Sequence, residues 1–232
     1  MKTKIFCDIA DFKTIKKYAN LNIVKGITTN PSLMRLAGAK NYKNYSLKIL
    51  RVAKKKPVSF EVFEDNVKVM IEQGNKIKLW GKNVYVKVPV VNSKGNFTGK
   101  AIKSLSDNGI KLNITAVYKF SQVKKIVKVL NKKNKSIISI FAGRMADKGI
   151  DPMPIFKKSI LHVKKYKNIE ILWASTREPY NLIQAQQINC NIITMPPKII
   201  DKVMKFGKSL DDLTLETVKG FLKDSRKSKF KL

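Results

Sequence analysis

The feature that most constrains the fold is a regular alternation of short β-branched runs with amphipathic stretches of helical period, repeated eight times. The predicted strands are Ile5–Ala10, Gly26–Asn30, Val58–Phe63, Val84–Pro89, Leu112–Val117, Ser136–Gly143, Glu170–Ser175 and Asn191–Pro196. The predicted helices between and after them are Phe12–Asn20, Tyr42–Lys54, Asn66–Trp80, Gly99–Asn108, Phe120–Asn131, Pro154–Tyr166, Tyr180–Ile188 and Pro197–Phe206. Strands that alternate with helices in this way indicate βαβ units and a parallel sheet.

Eight such units within 232 residues predict one α/β domain over residues 1–232, a (β/α)₈ or TIM barrel. The segment Leu210–Asp224 then predicts an additional C-terminal helix. The alternative is a doubly wound open sheet, which typically has a glycine-rich phosphate loop after its first strand. The corresponding segment here, Cys7–Asp11, contains no glycine, so the closed barrel is favoured.

Polar residues occur at or just beyond the carboxyl ends of all the predicted strands, where barrel enzymes carry their chemistry. They include Asp8, Thr28, Asn30, Glu61, Lys87, Asn113, Thr115, Ser139, Arg144, Ser175, Arg177 and Thr194. Each has a structural alternative, for example a helix cap for Asp8 or Asn30, or a surface ion pair for Glu61. Because the strand ends of a barrel converge, the joint pattern predicts one polar cavity, and its two arginines suit phosphate binding.

Lys87 stands out among the basic residues because Val86 and Val88 flank it in a buried strand. Burial favours the neutral form of an amine, and desolvated lysines form Schiff bases with carbonyl substrates. The alternative is an edge-strand lysine whose aliphatic stem packs while its ammonium reaches water. The strand alone does not decide between the two.

The net charge of +32 raises the hypothesis of a binding protein for nucleic acid or another polyanion. Only five of the 48 basic residues are arginine, and the lysines are spread along the whole chain. Nucleic-acid readers favour arginine and clustered aromatic residues, so we expect no specific nucleic-acid partner and only a weak, salt-sensitive affinity for polyanions.

Other features narrow the cofactors and the location. Two cysteines and one histidine make a zinc site improbable, and we expect neither a metal nor another cofactor. No apolar run approaches the roughly 18 residues that span a bilayer, and the first residues do not resemble a signal peptide. We therefore expect a cytoplasmic protein without membrane contact.

Five motifs in this order resemble the transaldolase family, in particular its short form that is similar to fructose-6-phosphate aldolase. They are Gly26–Ser32 (G-I-T-T-N-P-S), Val86–Pro89 (V-K-V-P), Asn113–Val117 (N-I-T-A-V), Phe141–Arg144 (F-A-G-R) and Ala174–Arg177 (A-S-T-R). The resemblance covers nearly the whole chain. It implies a (β/α)₈ enzyme that transfers a dihydroxyacetone unit from a ketose phosphate to an aldose phosphate without a metal.

The resemblance also implies roles for particular residues. Lys87 would form the Schiff base, Asp8 would exchange the proton of the substrate C4 hydroxyl, and Glu61 and Thr115 would hold a water molecule. The predicted substrate-binding residues are Thr28, Asn30, Asn113, Ser139, Phe141, Arg144, Ser175 and Arg177. Sugar phosphates are the expected partners, together with further copies of the chain in a ring-shaped homo-oligomer.

Two positions favour transfer over free aldol cleavage. The aldolase branch of the family has glutamine and tyrosine where this chain has Glu61 and Phe141. The alternative function is a dihydroxyacetone aldolase that acts on another sugar phosphate. Several residues near the mouth of the site depart from the family pattern, namely Ile9 after Asp8, the segment Val91–Gly99, Trp173 and Glu178-Pro179. The resemblance therefore does not identify the donor and acceptor sugars.

Overall fold

Eight parallel strands close into a barrel in the computed structural model, which describes residues 3–229. The strands follow one another around the sheet in chain order, and β1 pairs with β8 to close it. They are β1 (Lys4–Asp8), β2 (Val24–Thr28), β3 (Val58–Glu61), β4 (Val84–Pro89), β5 (Leu112–Val117), β6 (Ser136–Phe141), β7 (Ile169–Ala174) and β8 (Ile192–Met195). The predicted (β/α)₈ barrel is confirmed.

Helices follow every strand, and two short helices add to the eight predicted between and after the strands. The helices are α1 (Phe12–Ala19), α2 (Pro31–Leu36), α3 (Tyr42–Ala53), α4 (Val67–Lys78), α5 (Gly99–Asp107), α6 (Phe120–Val129), α7 (Ala142–Ala146), α8 (Met153–Val163), α9 (Tyr180–Gln187), α10 (Pro197–Val203) and α11 (Leu210–Ser228). The unpredicted helices α2 and α7 are too short for a helical period to be recognised. The C-terminal helix, α11, extends four residues beyond its predicted end.

Most strands end earlier than the sequence predicted. Strands β4 and β5 have the predicted limits, whereas the other six end one or two residues sooner. Asn30 and Ser175 consequently lie just beyond β2 and β7, in the loops at the carboxyl ends of these strands. The polar residues therefore reach the barrel mouth from loop positions as well as from the strands.

The pleat of the strands divides the core into two parts. Val86 and Val88 belong to the large apolar cluster that forms the main core, whereas Tyr85 belongs to a smaller cluster with Phe6 and Ile137. Since successive side chains of a strand point to opposite faces, Lys87 lies on the same face as Tyr85, inside the barrel. The small cluster lies in the middle of the barrel interior, and the polar residues occupy the carboxyl end.

Close packing inside the barrel explains one glycine of the first motif. A Cβ atom at Gly26 would lie 2.6 Å from the ring of Phe6. No rotation of an alanine methyl group could relieve such a contact, so the neighbouring strands require glycine at this position. Within residues 3–229, no helix is both long enough and apolar enough to cross a membrane.

Candidate active site

The carboxyl ends of the strands enclose a cavity of about 180 Å³. Eleven of the twelve predicted site residues line it: Asp8, Thr28, Asn30, Lys87, Asn113, Thr115, Ser139, Phe141, Arg144, Ser175 and Arg177. The twelfth, Glu61, contacts Lys87 beside the cavity. Thr194, which was predicted for the polar cavity but without a site role, also lines it, together with Thr176. Closure of the barrel thus brings together residues as distant in the chain as Asp8 and Thr194, which are 186 positions apart.

Lys87 is the most buried basic side chain of this cavity, with 7% of the residue exposed. Its Nζ donates a hydrogen bond to the Thr29 carbonyl oxygen at 3.0 Å and lies 3.1 Å from Glu61 Oε2. The flanking valines had suggested an apolar environment for the amine. Val86 and Val88 instead face the helices, so the amine does not lie among apolar side chains. A carboxylate next to the amine provides a group that can accept its proton.

Asp8 lies at the end of β1 in a network of hydroxyl groups. Thr28 Oγ1 donates a hydrogen bond to Asp8 Oδ1 at 2.7 Å, and the hydroxyl oxygens of Thr28 and Thr194 are 2.6 Å apart. Burial raises the pKa of Asp8 above the ordinary carboxyl range, although the nearby charge of Lys87 and the Thr28 hydrogen bond oppose the shift. A carboxyl group poised in this way suits proton exchange.

Tyr42 and Thr115 complete the surroundings of the amine. The Tyr42 hydroxyl donates to the Glu61 carbonyl oxygen and accepts from the Glu61 N–H, each at 3.0 Å, which holds the backbone of Glu61 in place. Sequence reasoning missed Tyr42, because it begins a helix far from the strand ends. Thr115 Oγ1 is buried and has no hydrogen-bond partner among the described residues. A buried hydroxyl facing a cavity in this state is suited to bind water or substrate.

Asn113 joins three strands through its amide group. Its Nδ2 donates to Ser59 Oγ at 3.0 Å, and its Oδ1 accepts from Ser139 Oγ at 2.7 Å. These two contacts hold the Asn113 side chain between β3 and β6. Asn30 contributes differently, because its Oδ1 accepts from the Leu33 N–H at 2.9 Å and caps α2. The helix-cap alternative for Asn30 is therefore correct, while its Nδ2 remains available to the cavity.

Two arginines provide the positive charge at the cavity mouth. The guanidinium carbon of Arg144 lies 5.7 Å from the centre of the Phe141 ring. Arg177 forms a two-pronged ion pair with Asp147, with Nε–Oδ1 at 2.9 Å and Nη2–Oδ2 at 2.6 Å. This pair raises the pKa of Arg177 and lowers that of Asp147. No motif or period in the sequence indicated Asp147, which is 30 residues from its partner.

The backbone is strained where the cavity is formed. Ala116 and Ser175 adopt left-handed conformations with φ of 58° and 65°, which are uncommon for residues with a side chain. A Cβ atom at Gly143 would lie 1.8 Å from the Ser175 carbonyl oxygen, so only glycine permits this close approach of α7 to the loop after β7. Strain and close packing together position Ser175 and Arg177 at the mouth.

No group of three or more His, Cys, Asp or Glu side chains within residues 3–229 is arranged to hold a metal ion. The polar groups that line the cavity are one amine, one carboxyl, two guanidinium groups, amides and hydroxyls. These groups suit a substrate that carries hydroxyls and a phosphate.

Comparison with known proteins gives one consistent result. Residues 5–232 match the family model described as transaldolase/fructose-6-phosphate aldolase. A protein of Nitrosopumilus maritimus named "Probable transaldolase" is 35% identical over 228 residues, which cover 97% of this chain and 96% of that protein. A protein of Herpetosiphon aurantiacus with the same name is 34% identical, with 92% of each chain covered.

Solved structures of other enzymes share the fold at low sequence identity. N-acetylneuraminate lyase from Mycoplasma synoviae superimposes with a TM-score of 0.52 at 11% identity, covering 82% of this chain and 68% of the lyase. A flavocytochrome b2 mutant superimposes with a TM-score of 0.58 at 10% identity, covering 83% of this chain and 56% of that protein. At such identities the similarity concerns the barrel alone.

The raised pKa of Asp8 predicts a dependence of stability on pH. The folded protein binds a proton at Asp8 more tightly than the unfolded chain does. The contribution of Asp8 to the free energy of unfolding therefore falls as pH rises above about 4, the ordinary carboxyl pKa. Asp8→Asn removes the buried charge but keeps an acceptor for Thr28. We expect a higher free energy of unfolding at pH 7 than in the wild type, with a gain that shrinks toward pH 4.

Asp11→Asn is the matched control for this prediction. Hydrogen bonds from the hydroxyl and N–H of Thr14 lower the pKa of Asp11, so its charge stabilises the folded state above the ordinary carboxyl range. Removing that charge should lower the free energy of unfolding at pH 7, whereas Asp8→Asn should raise it. The loss in Asp11→Asn should disappear as pH falls. Urea unfolding at several pH values measures both variants. A fall in stability at pH 7 for Asp8→Asn would contradict the assigned burial cost.

Proposed function

The chain belongs to the transaldolase/fructose-6-phosphate aldolase family of enzymes, and on this premise we propose that it is a transaldolase that works through a Schiff base on Lys87. The donor would be a ketose phosphate such as fructose 6-phosphate or sedoheptulose 7-phosphate, and the acceptor an aldose phosphate, as in the pentose phosphate pathway. The enzyme would move a three-carbon dihydroxyacetone unit between them.

One observation carries the proposal: a buried lysine opens into a cavity whose other groups are a carboxyl with a raised pKa, hydroxyls, amides and two arginines. A lysine that only packed its stem would not be expected to face such a set of groups. The same observation argues against a polyanion-binding protein as the primary function, because bulk positive charge does not require Asp8 or Asn113 at the strand ends.

The contacts of Lys87 support a route for Schiff-base formation. Glu61 Oε2, 3.1 Å from Nζ, is placed to take a proton from the ammonium and leave a nucleophilic amine. The amine adds to the donor ketone, and the resulting carbinolamine loses water to give an iminium. Thr115 Oγ1, buried without a partner among the described residues, is suited to hold that water with Glu61.

Asp8 would exchange the next proton. When the bond between C3 and C4 of the donor breaks, its electron pair enters the iminium to form an enamine, and the C4 hydroxyl proton passes to the Asp8 carboxylate. The aldose product then leaves. Addition of the enamine carbon to the acceptor aldehyde is the reverse of the cleavage step, and Asp8 returns the proton to the new hydroxyl. Water then adds to the iminium, and loss of the Lys87 amine releases the product ketose. The raised pKa of Asp8 suits a group that must both accept and donate.

Polar groups around the cavity would bind the rest of the sugar. Asn113, whose amide is held by Ser59 and Ser139, and Asn30, through its Nδ2, would bind hydroxyls of the substrate. Arg144 and Arg177, with the Ser175 hydroxyl, would bind the phosphate at the mouth. Asp147 holds the guanidinium of Arg177 and would limit its orientations before the phosphate arrives.

Transfer is favoured over aldol cleavage by Phe141. This ring lines the cavity next to Arg144 and brings no hydroxyl to it. Release of free dihydroxyacetone requires protonation of the enamine followed by hydrolysis, so a cavity wall without a proton donor extends the lifetime of the enamine until an acceptor aldehyde arrives. The alternative, a dihydroxyacetone aldolase that acts on another sugar phosphate, would use the same Lys87 and Asp8.

We also propose a cytoplasmic homo-oligomer. Cys7 and Cys190 are both free, as is usual in a reducing compartment. Helix α11 has no buried residue, and it exposes an apolar face with Leu210, Val218 and Phe221. Helices gain most of their stability from packing an apolar face, so this one needs a partner, and a second copy of the chain is the occupant that the family resemblance implies.

Borohydride trapping tests the Schiff base. Incubation with fructose 6-phosphate and borohydride should add a reduced three-carbon unit to Lys87, detected by peptide mass spectrometry. Lys87→Arg should abolish the adduct and lower turnover by roughly a thousandfold or more, the scale for losing a nucleophile. The control Lys111→Arg changes a partly exposed lysine that directly precedes β5. This variant should retain both the adduct and the turnover. An adduct at another lysine in the wild type would refute the mechanism.

Product analysis separates transfer from cleavage. With fructose 6-phosphate and erythrose 4-phosphate together, we expect sedoheptulose 7-phosphate, and without the acceptor only a trace of free dihydroxyacetone. Phe141→Tyr, which adds a hydroxyl to the cavity wall, should increase dihydroxyacetone release by roughly tenfold, whereas Phe206→Tyr on the surface should not. Equal release with and without acceptor in the wild type would establish the aldolase alternative.

Sedimentation tests the oligomer. Phe221→Asp places a charge on the apolar face of α11 and should shift the protein toward the monomer, with about a tenfold or greater rise in the dissociation constant. Lys223→Gln changes the net charge equally on the polar side of α11 and should leave the assembly intact. If both variants sediment as the wild type does, α11 does not form the interface.

A further inference from the structure

The amino end of the barrel contains a second and larger cavity, of about 780 Å³, opposite the candidate active site. Its apolar lining includes Phe6, Tyr85 and Ile137, which belong to the small cluster inside the barrel. This volume lies within the range of about 300–1,000 Å³ that is typical of small-molecule sites. The same cluster separates it from the polar cavity at the carboxyl end.

Positive charge dominates the rim of this cavity. Eight lysines line it, and Glu170 is the only acidic residue among its lining groups. Glu170 is already paired with Lys4, whose Nζ lies 2.6 Å from Oε1. Lys54 and Lys111 donate to neutral oxygens, those of the Asn20 side chain and the Lys82 carbonyl. The pKa of adjacent Lys56 is lowered by burial and, further, by the charges of Lys25 and Lys54.

This concentration exceeds what the composition explains. Lysine forms about one residue in five of the chain, but eight of the fifteen residues that line this cavity. The eight come from the starts of β1 and β2 and from the loops before β3, β4, β5, β6 and β7. Because the strands are arranged around one axis, these amines surround the cavity instead of forming a flat surface patch.

We propose that this cavity binds a compact anion with several linked phosphate groups, at a site independent of the transaldolase reaction. Ammonium groups are strong phosphate partners that act as point charges, without the fixed orientation that arginine imposes. A ring of amines with one paired carboxylate is unfavourable in itself, and a multivalent anion removes this repulsion. The concave shape admits a chain of phosphates, and the apolar floor offers space for an attached ring.

Calorimetry with the full-length protein tests the site with two probes, inorganic tripolyphosphate and ATP. The variant Lys25→Gln/Lys82→Gln/Lys135→Gln, in exposed rim positions, should weaken the binding of both by roughly tenfold or more at physiological salt. The control Lys48→Gln/Lys125→Gln/Lys158→Gln removes the same charge from α3, α6 and α8 and should weaken binding by less than about twofold. Transaldolase turnover should be unchanged in both variants.

The two probes distinguish the sources of the phosphate chain. Tighter binding of ATP would mean that the base uses the apolar floor, and equal affinities would mean that the phosphates alone are recognised; both outcomes support the site. If the rim and control variants lost affinity equally, net charge alone would explain the binding, and this result would overturn the proposed site. So would binding that survives in the rim variant but is lost in Arg144→Gln, because the anion would then occupy the active site.

Discussion

Closure of the parallel sheet is the constraint on which the candidate site depends. Hydrogen bonds between β1 and β8 complete a ring in which every strand has its carboxyl end on the same side. Several polar side chains buried at these ends find partners across the barrel interior, on strands that are not always adjacent in the sheet. The hydroxyls of Thr28 and Thr194 link β2 to β8, and Asn113 links β5 to Ser59 of β3 and Ser139 of β6. Such satisfied networks hold side chains rigidly in a medium of low dielectric constant.

The two carboxylates near Lys87 have different surroundings, and this difference allows them separate tasks. Glu61 contacts the amine directly and has its backbone held by Tyr42. Asp8 instead pays a desolvation cost that its single hydroxyl contact with Thr28 does not cancel. In the proposed mechanism one carboxylate would therefore move a proton at the amine and the other at the sugar, and this division rests on burial and contacts rather than on residue type.

Much of the fold was predictable because the alternation of periods repeats eight times and an error in one element does not change the rest. Eleven of the twelve predicted residues line the cavity for a similar reason, since the strand ends of a barrel have only one place to converge. Local surroundings were less predictable. The valines beside Lys87 suggested an apolar environment, but the pleat turns them toward the helices. The pairing of Arg177 with Asp147 depends on how two loops meet, which no periodicity encodes.

Because lysine is abundant, the proposed mechanism must explain why a Schiff base would form at Lys87 and not at another lysine. Many other lysines are exposed, and an exposed amine is hydrated, charged and usually without a carboxylate in contact, so a sugar ketone that reaches it meets an ammonium. If an imine formed at such an exposed lysine, carbon–carbon cleavage would not follow, because no buried carboxyl lies beside the bond that must break. Burial, a proton acceptor and Asp8 must coincide, and within residues 3–229 they do so at Lys87. A chain that works by the proposed mechanism could therefore accumulate surface lysines, including a ring of them at the opposite end of its barrel, without acquiring competing reactive amines.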